Sequence, residues 1–244
     1  MSSLLFREMY TQAPGAAKYG NFINYYQFNK PEERVRLLPE NFVVRAWTNK
    51  HRIVALDIGC NTGELTICLY KYLTSSEGTD VHVLGIDLDA ELIQRAQQSN
   101  PFPNSVHYMC LDVMDEHCQP TLLTYLKKLQ QTHFDITFCF SVTMWIHLNH
   151  GDVGLKSFLE TTCRYTDFLL LEAQTWKCYR NASRRMRREG KKEFQNLDSL
   201  SMNINVVENI RDYIEGKCNM DVYQCFGETV WNRRVTLYKK KLCS

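Results

Sequence analysis

Asp57-Ile58-Gly59-Cys60-Asn61-Thr62-Gly63 sets a carboxylate two residues before a glycine and a second glycine four residues further on. Glycines at such a turn let a backbone approach a ligand where any Cβ would collide. Two phosphate-binding loops are excluded, because Glu64 stands where a P-loop needs Lys and Asn61 breaks the G-x-G-x-x-G order of dinucleotide folds. A second carboxylate, Asp87, ends the apolar run from Val81 to Ile86, where it can accept both hydroxyls of a ribose; the plainer role is to cap the helix that follows. A third cluster is cationic. Lys177, Arg180, Arg184, Arg185, Arg187, Arg188, Lys191 and Lys192 set eight cations against Glu189 and Glu193 within seventeen residues. Such a run is either a solvated helix face or, on a nearly neutral chain, the footprint of a phosphate backbone.

These residues need elements to position them. Val54 to Ile58 is an apolar run too short for a helix and reads as a buried parallel strand, with the spacing of a helix from Glu64 to Leu73 after it. Val81 to Asp87 and a helix to Gln98 repeat the unit. Val106 to Leu111 ends at Asp112, Thr121 to Gln131 is a helix, and Phe134 to Ser141 is an aromatic buried strand. Val142 to Gly151 is expected as the loop beyond it, followed by a helix to Cys163 and a strand from Asp167 to Glu172. A basic helix to about Arg188, a helix from Val206 to Glu215 and strands near Met220–Phe226 and Arg233–Lys239 complete the order. Strands alternating with helices, then a closing hairpin, predict an α/β doubly wound sheet with an antiparallel last pair. Ligands in such sheets sit outside the carboxyl ends of the strands, so Asp57, Asp87, Asp112, Ser141 and Glu172 share one rim.

The 244 residues carry a formal net charge of +2, which makes any polyanion site a matter of local clustering. They are expected to form one domain over 51–244, preceded by a segment over 1–50. That segment holds five aromatics in the ten positions from Tyr19 to Phe28, unlike a disordered tail. It is either a strap over the sheet edge or a lid whose Tyr25 and Tyr26 hydroxyls reach the reacting group. Ten cysteines without a C-x-x-C pair suit reduced thiols in a cytosolic or nuclear protein with neither zinc nor a disulfide framework, and a cytoplasmic protein without a metal is expected. No apolar run is long enough for a signal peptide or a membrane span.

The D-x-G-x-x-x-G loop resembles motif I of class I S-adenosylmethionine (SAM) methyltransferases, whose Rossmann-like sheet has seven strands. Ser141 to Asp152, Tyr19-Gly20-Asn21-Phe22 through Tyr25-Tyr26, and Leu171-Glu172-Ala173-Gln174-Thr175-Trp176 resemble the Bicoid-interacting-protein family of RNA methylphosphate-capping methyltransferases. The likeness runs from about Pro14 to Lys241. The Gly15-Ala16-Ala17 start and Trp176 to Arg180 bring it nearest to members acting on RNA 5′-monophosphates, and it implies histidine tRNA and precursor microRNA as substrates. It also implies SAM as cofactor, S-adenosylhomocysteine as product, a monomer, no membrane, and cofactor contacts at Arg34, Gly59, Asn61, Asp87, Leu88, Asp112, Val113 and Phe140. Ala173 and Thr175 depart from the family's Glu-Pro-Gln-Pro-Trp pattern, which loosens that loop.

A 5′-monophosphate has a second pKa near 6 and is already nucleophilic at pH 7, so orientation matters more than a strong base. Tyr25, Tyr26, His147, Gln174 and Lys177 are the candidates for holding it, with Trp176, Arg180, Arg184, Arg185, Arg187 and Arg188 along the RNA. His147 is equally suited to a core position among Trp145, Ile146 and Leu148, and Trp176 either stacks a base or packs. The resemblance implies that triphosphate-capping members carry Lys where this chain has Met144. A non-catalytic RNA-binding adaptor and a methyltransferase for a protein or small molecule are the competing functions.

Overall fold

In the computed structural model of the protein the described residues are 17–40, 42, 47, 50–74 and 79–241. Gly15, Ala16, Cys243 and much of the expected segment 1–50 lie outside them.

The strands are β1 (Arg52–Ile58), β2 (Asp80–Asp87), β3 (Val106–Cys110), β4 (Phe134–Phe140), β5 (Thr166–Glu172), β6 (Met220–Glu228) and β7 (Arg234–Lys240). They form one sheet in the order β3-β2-β1-β4-β5-β7-β6, in which β7 runs antiparallel to both its neighbours. All seven residues of β4, and Ile53 to Ile58 of β1, are buried. That is why both read as unbroken apolar runs: a parallel strand covered on both faces has no solvent side on which to alternate. The helices are α1 (Tyr25–Phe28), α2 (Pro31–Val35), α3 (Glu64–Leu73), α4 (Ala90–Gln98), α5 (Cys118–Lys128), α6 (Thr143–Arg164), α7 (Trp176–Arg188) and α8 (Val206–Lys217). Two apolar clusters lie on opposite faces of the sheet. One joins α5, α6, α7 and α8 to it, and the other joins α3, α4 and the segment before β1.

The order of strands turns outward on both sides of the β1–β4 pair, where β1 leads to β2 on one side and β4 to β5 on the other. A cleft must open there, because the connections from these two strands leave in opposite directions.

The expected loop from Val142 to Gly151 is a helix instead. Helix α6 begins at Thr143 and is interrupted only at Gly151, whose φ of 67° and ψ of −172° are not helical. Val142 offers no side chain to cap this helix; the acceptor comes from Gln174, whose Oε1 receives the Thr143 hydroxyl at 3.2 Å and the Met144 N–H at 3.2 Å. A start signal supplied from the end of β5 has no local signature in the sequence. Helix α5 likewise starts at Cys118 rather than Thr121, with Pro120 inside its first turn, where a missing N–H costs nothing.

Candidate active site

The turn after β1 is built for close approach. Gly59 has φ 73°, and a Cβ there would meet Val142 Cγ2 at 2.6 Å. Asn61 has φ 51°, a left-handed conformation that Asn tolerates better than other residues with a Cβ. Its amide then gives the position a second use: Oδ1 accepts the Thr62 N–H at 2.8 Å and Nδ2 donates to the Phe22 carbonyl at 2.9 Å. The residue that replaces a glycine thus ties the N-terminal segment to the turn.

Asp87 closes the next strand. Its Oδ2 accepts the Asn61 N–H at 3.0 Å and its Oδ1 the Asp89 N–H at 3.0 Å. Capping of α4 falls to Asp89, which accepts from the Glu91 and Leu92 amides, so Asp87 keeps lone pairs for the cleft. Burial pushes the Asp87 carboxyl up while the backbone donors pull it back.

One cavity is lined by Arg34, Gly59, Asn61, Asp87, Leu88, Asp112, Val113 and Phe140 together, and by Tyr25 and Tyr26. The eight positions expected at the cofactor therefore surround a single space. Asp57 also lines it, fully buried, with the Thr66 hydroxyl donating to Oδ2 at 2.6 Å. Burial raises its pKa from 3.8 to about 7, against the pull of Thr66 and Arg34. Between these values the folded protein holds a proton that the unfolded chain has shed, so stability falls as pH rises through that window. By pH 8 the cost is on the order of 4 kcal/mol. Asp57→Asn is therefore expected to stabilise the ligand-free protein more at pH 8 than at pH 5, by about 2 kcal/mol in denaturant unfolding. A gain independent of pH would contradict this assignment.

Arg34 is 0 % exposed. Its Nε donates to Glu172 Oε2 at 2.5 Å, and its Nη2 to the Tyr25 hydroxyl at 2.7 Å and Ser141 Oγ at 2.9 Å. Nη1 is buried without a partner among the described residues. The Tyr25 oxygen accepts from Arg34, which leaves its proton to donate. Tyr26 differs, since its hydroxyl donates to the Cys60 carbonyl at 3.1 Å, and burial raises its pKa far above the usual phenol value.

A second cavity adjoins the first through Tyr25, Ser141 and Trp145, and is lined further by Met144, Gln174, Asn181, Arg185 and Arg233. Gln174 faces it, but its amide is engaged: beyond the α6 cap, Nε2 donates to the Ser141 carbonyl at 2.5 Å. His147 lines neither cavity and is 0 % exposed. Its Nδ1 meets the Tyr179 hydroxyl at 3.1 Å and its Nε2 meets Asp152 at 2.8 Å. Burial lowers the His147 pKa despite that acid. Asp152 also accepts the Ser201 and Met202 amides, so the imidazole joins α6 to α7 and braces the acid that holds the segment before α8, instead of facing a phosphate. Lys177 is exposed on the first turn of α7 and lines neither cavity. Trp176 leans on Tyr179, with ring centres 5.0 Å apart, and faces a separate groove with Ile204, Val206 and Arg234.

Of the basic residues of α7, Arg185 turns inward, its guanidinium 5.7 Å from the Phe22 ring centre, whereas Arg180, Arg184, Arg187 and Arg188 are exposed. Arg233 and Trp231 join the site beside Ser141, which the sequence places only on the ligand rim. Ser141 carried one sign, its place at the end of a buried strand; the two others sit in a hairpin without periodicity.

Among the described residues no cluster of His, Cys, Asp or Glu could hold a metal ion, and no helix is long and apolar enough to cross a membrane. The cavity residues fit SAM: a glycine turn without room for side chains, a strand-end carboxylate for ribose, and an unpartnered buried guanidinium nitrogen for a carboxylate.

Comparison with known proteins agrees with this geometry. A general methyltransferase-domain model matches residues 55–165, and the Bicoid-interacting protein 3 model matches residues 134–240. The SAH-bound plantazolicin methyltransferase BpumL superposes with a TM-score of 0.53 at 13 % identity, covering 90 % of this chain and 88 % of that one. At that identity the likeness speaks for the fold, a class I SAM-dependent methyltransferase. The chain is 41 % identical to the pre-miRNA 5′-monophosphate methyltransferase of Danio rerio, over 95 % of each chain. It is 42 % identical to the protein of the same name from Xenopus laevis, over 93 % of each. With identity at this level along nearly the whole length, the chain belongs to the Bicoid-interacting protein 3 family of methyltransferases.

Proposed function

We propose that the protein transfers a methyl group from SAM to an oxygen of an RNA 5′-monophosphate. The observation that carries this reading is the second cavity, which opens beside the cofactor cavity at Tyr25, Ser141 and Trp145 and brings two guanidiniums to it. SAM, when bound, supplies an electrophilic sulfonium methyl, so a phosphate oxygen gains a C–O bond while the C–S pair stays on sulfur. Arg34, Gly59, Asn61, Asp87, Leu88, Asp112, Val113 and Phe140 hold the cofactor. Tyr25 donates its free proton to a phosphate oxygen and turns the attacking oxygen towards the methyl, a contribution of orientation. No side chain has to remove a proton, because the phosphate is mostly dianionic at pH 7. Tyr26 and Gln174 brace the two walls, and His147 fixes α6 from behind.

The RNAs assigned to this site are precursor microRNA, which the names of the two relatives include, and histidine tRNA, which the family resemblance implies. A place in the reducing cytoplasm suits the nine free cysteines among the described residues. Lys177, Arg180, Arg184, Arg187 and Arg188 follow the RNA backbone past its end, with Trp176 flanking the path. Replacing Arg180, Arg184 and Arg188 by Ala is expected to reduce the salt slope of RNA binding by about 2, at 0.7 per phosphate contact, with SAM affinity unchanged. An unchanged slope would return the helix to a solvated face.

Met144 is 3 % exposed in the wall of the second cavity. A triphosphate brings further negative charge that an apolar side chain cannot match. We expect higher kcat/KM on 5′-monophosphate than on 5′-triphosphate RNA, and Met144→Lys to narrow the gap; an unaltered ratio moves the cause to the N-terminal segment.

The proposal is tested with labelled SAM and one RNA carrying either a 5′-monophosphate or a 5′-hydroxyl. Label in the first alone is expected. SAM binding without label in any 5′-phosphorylated RNA would leave an RNA-binding adaptor.

A further inference from the structure

Among the described residues, two buried guanidinium nitrogens have no hydrogen-bond partner: Nη1 of Arg34 and Nε of Arg233. They belong to different cavities. Arg34 lines the cofactor cavity, and Arg233 lines only the second one. Both arginines are held by the same acid, since Glu172 accepts from Arg34 Nε at 2.5 Å and from Arg233 Nη1 at 3.4 Å, with the Trp231 indole N–H at 2.7 Å. Ser141 Oγ accepts from both arginines as well.

Glu172 is 0 % exposed, so one carboxylate is set against two guanidiniums away from water. The cluster therefore retains a net positive charge in a place that solvates it poorly, and each unpartnered N–H leaves a desolvation cost unmet. An anion in each cavity would meet both needs. Glu172 and Ser141 engage Arg233 at Nη1, which leaves its Nε side for the cavity. The Nε–Nη2 edge of a guanidinium is a fork that matches two oxygens of a phosphate. Arg185 brings a second cation to the same cavity from α7, whose exposed face carries the remaining arginines.

We infer that Arg233, seconded by Arg185, holds the terminal phosphate of the acceptor, and that Glu172 is the joint between the arginines serving cofactor and acceptor. This rests on the RNA 5′-phosphate reading above. It also gives Glu172 a purpose, since an acid beside a phosphate is repulsive unless guanidiniums stand between them.

The test uses the full chain and one RNA oligonucleotide prepared with a 5′-monophosphate or a 5′-hydroxyl, measuring binding of each alongside SAM affinity and RNA KM. The wild type is expected to prefer the monophosphate. Arg233→Gln is expected to remove that preference and raise RNA KM at least about tenfold, the scale of a lost charge-assisted contact, with SAM affinity within about twofold; Arg233→Lys should recover part of it. Preference retained in Arg233→Gln overturns the assignment and leaves the methyltransferase reading standing. A wild type without any preference overturns both. Should Arg233→Gln also lose SAM, Arg185→Gln carries the test, because Arg185 has no hydrogen bond to Glu172 or Ser141. A reduced preference with SAM affinity kept is expected there, and a full preference overturns the assignment.

Discussion

Arg34→Met is expected to lower stability by about 3–5 kcal/mol and to remove measurable SAM binding, because breaking a buried ion pair strands the other charge. The guanidinium is fully buried and holds Glu172, Tyr25 and Ser141 through three hydrogen bonds. It also lies 5.2 Å from the Phe140 ring centre and 5.1 Å from that of Trp231, so its loss opens a space between aromatics. Arg233 remains beside Glu172 in the variant and keeps the loss at the lower end of that range. Urea unfolding of the ligand-free protein and calorimetry with SAM check the two parts. A variant that unfolds like the wild type would show that Arg34 is no keystone, and one that binds SAM normally would free Nη1 of its assigned partner.

Asp87→Ala is expected to weaken SAM binding by about 1–3 kcal/mol, from charge-assisted hydrogen bonds to ribose hydroxyls. The same change releases the Asn61 and Asp89 amides, so the glycine turn loses a support as well as the ribose its acceptor. Calorimetry at fixed pH measures it. Unchanged affinity would move the ribose elsewhere along the cavity.

The cofactor half of the site was legible in the sequence because its signals are local. Asp57 to Gly63 and Val81 to Asp87 each carry a strand, its terminal acid and the start of a helix within a few residues. The doubly wound sheet and its antiparallel last pair followed from the same repeated unit and the closing hairpin. The acceptor half was less legible because long-range contacts assemble it. Gln174 caps a helix that starts thirty-one residues earlier, and this converts an expected loop into the first turns of α6. His147 carries the residue type of a catalytic base, yet Tyr179 and Asp152 occupy both its nitrogens from neighbouring turns of the fold. Arg233 is indistinguishable from Arg234 in the sequence, because nothing in the run Trp231-Asn232-Arg233-Arg234 tells which arginine turns towards β4. The basic run of α7 was plain from composition, but its split into an inward Arg185 and an outward remainder needed the helix to be seated on Phe22.

Methyl transfer to the phosphate is the centre of the account, and mass spectrometry of the RNA end is its most direct measurement. A 5′-monophosphate oligonucleotide incubated with the protein and SAM, then digested to nucleotides, should gain methyl mass on its 5′-terminal nucleotide alone, within the phosphate group. A methyl group on a base or ribose, or an end of unchanged mass after SAM binding has been demonstrated, would contradict it.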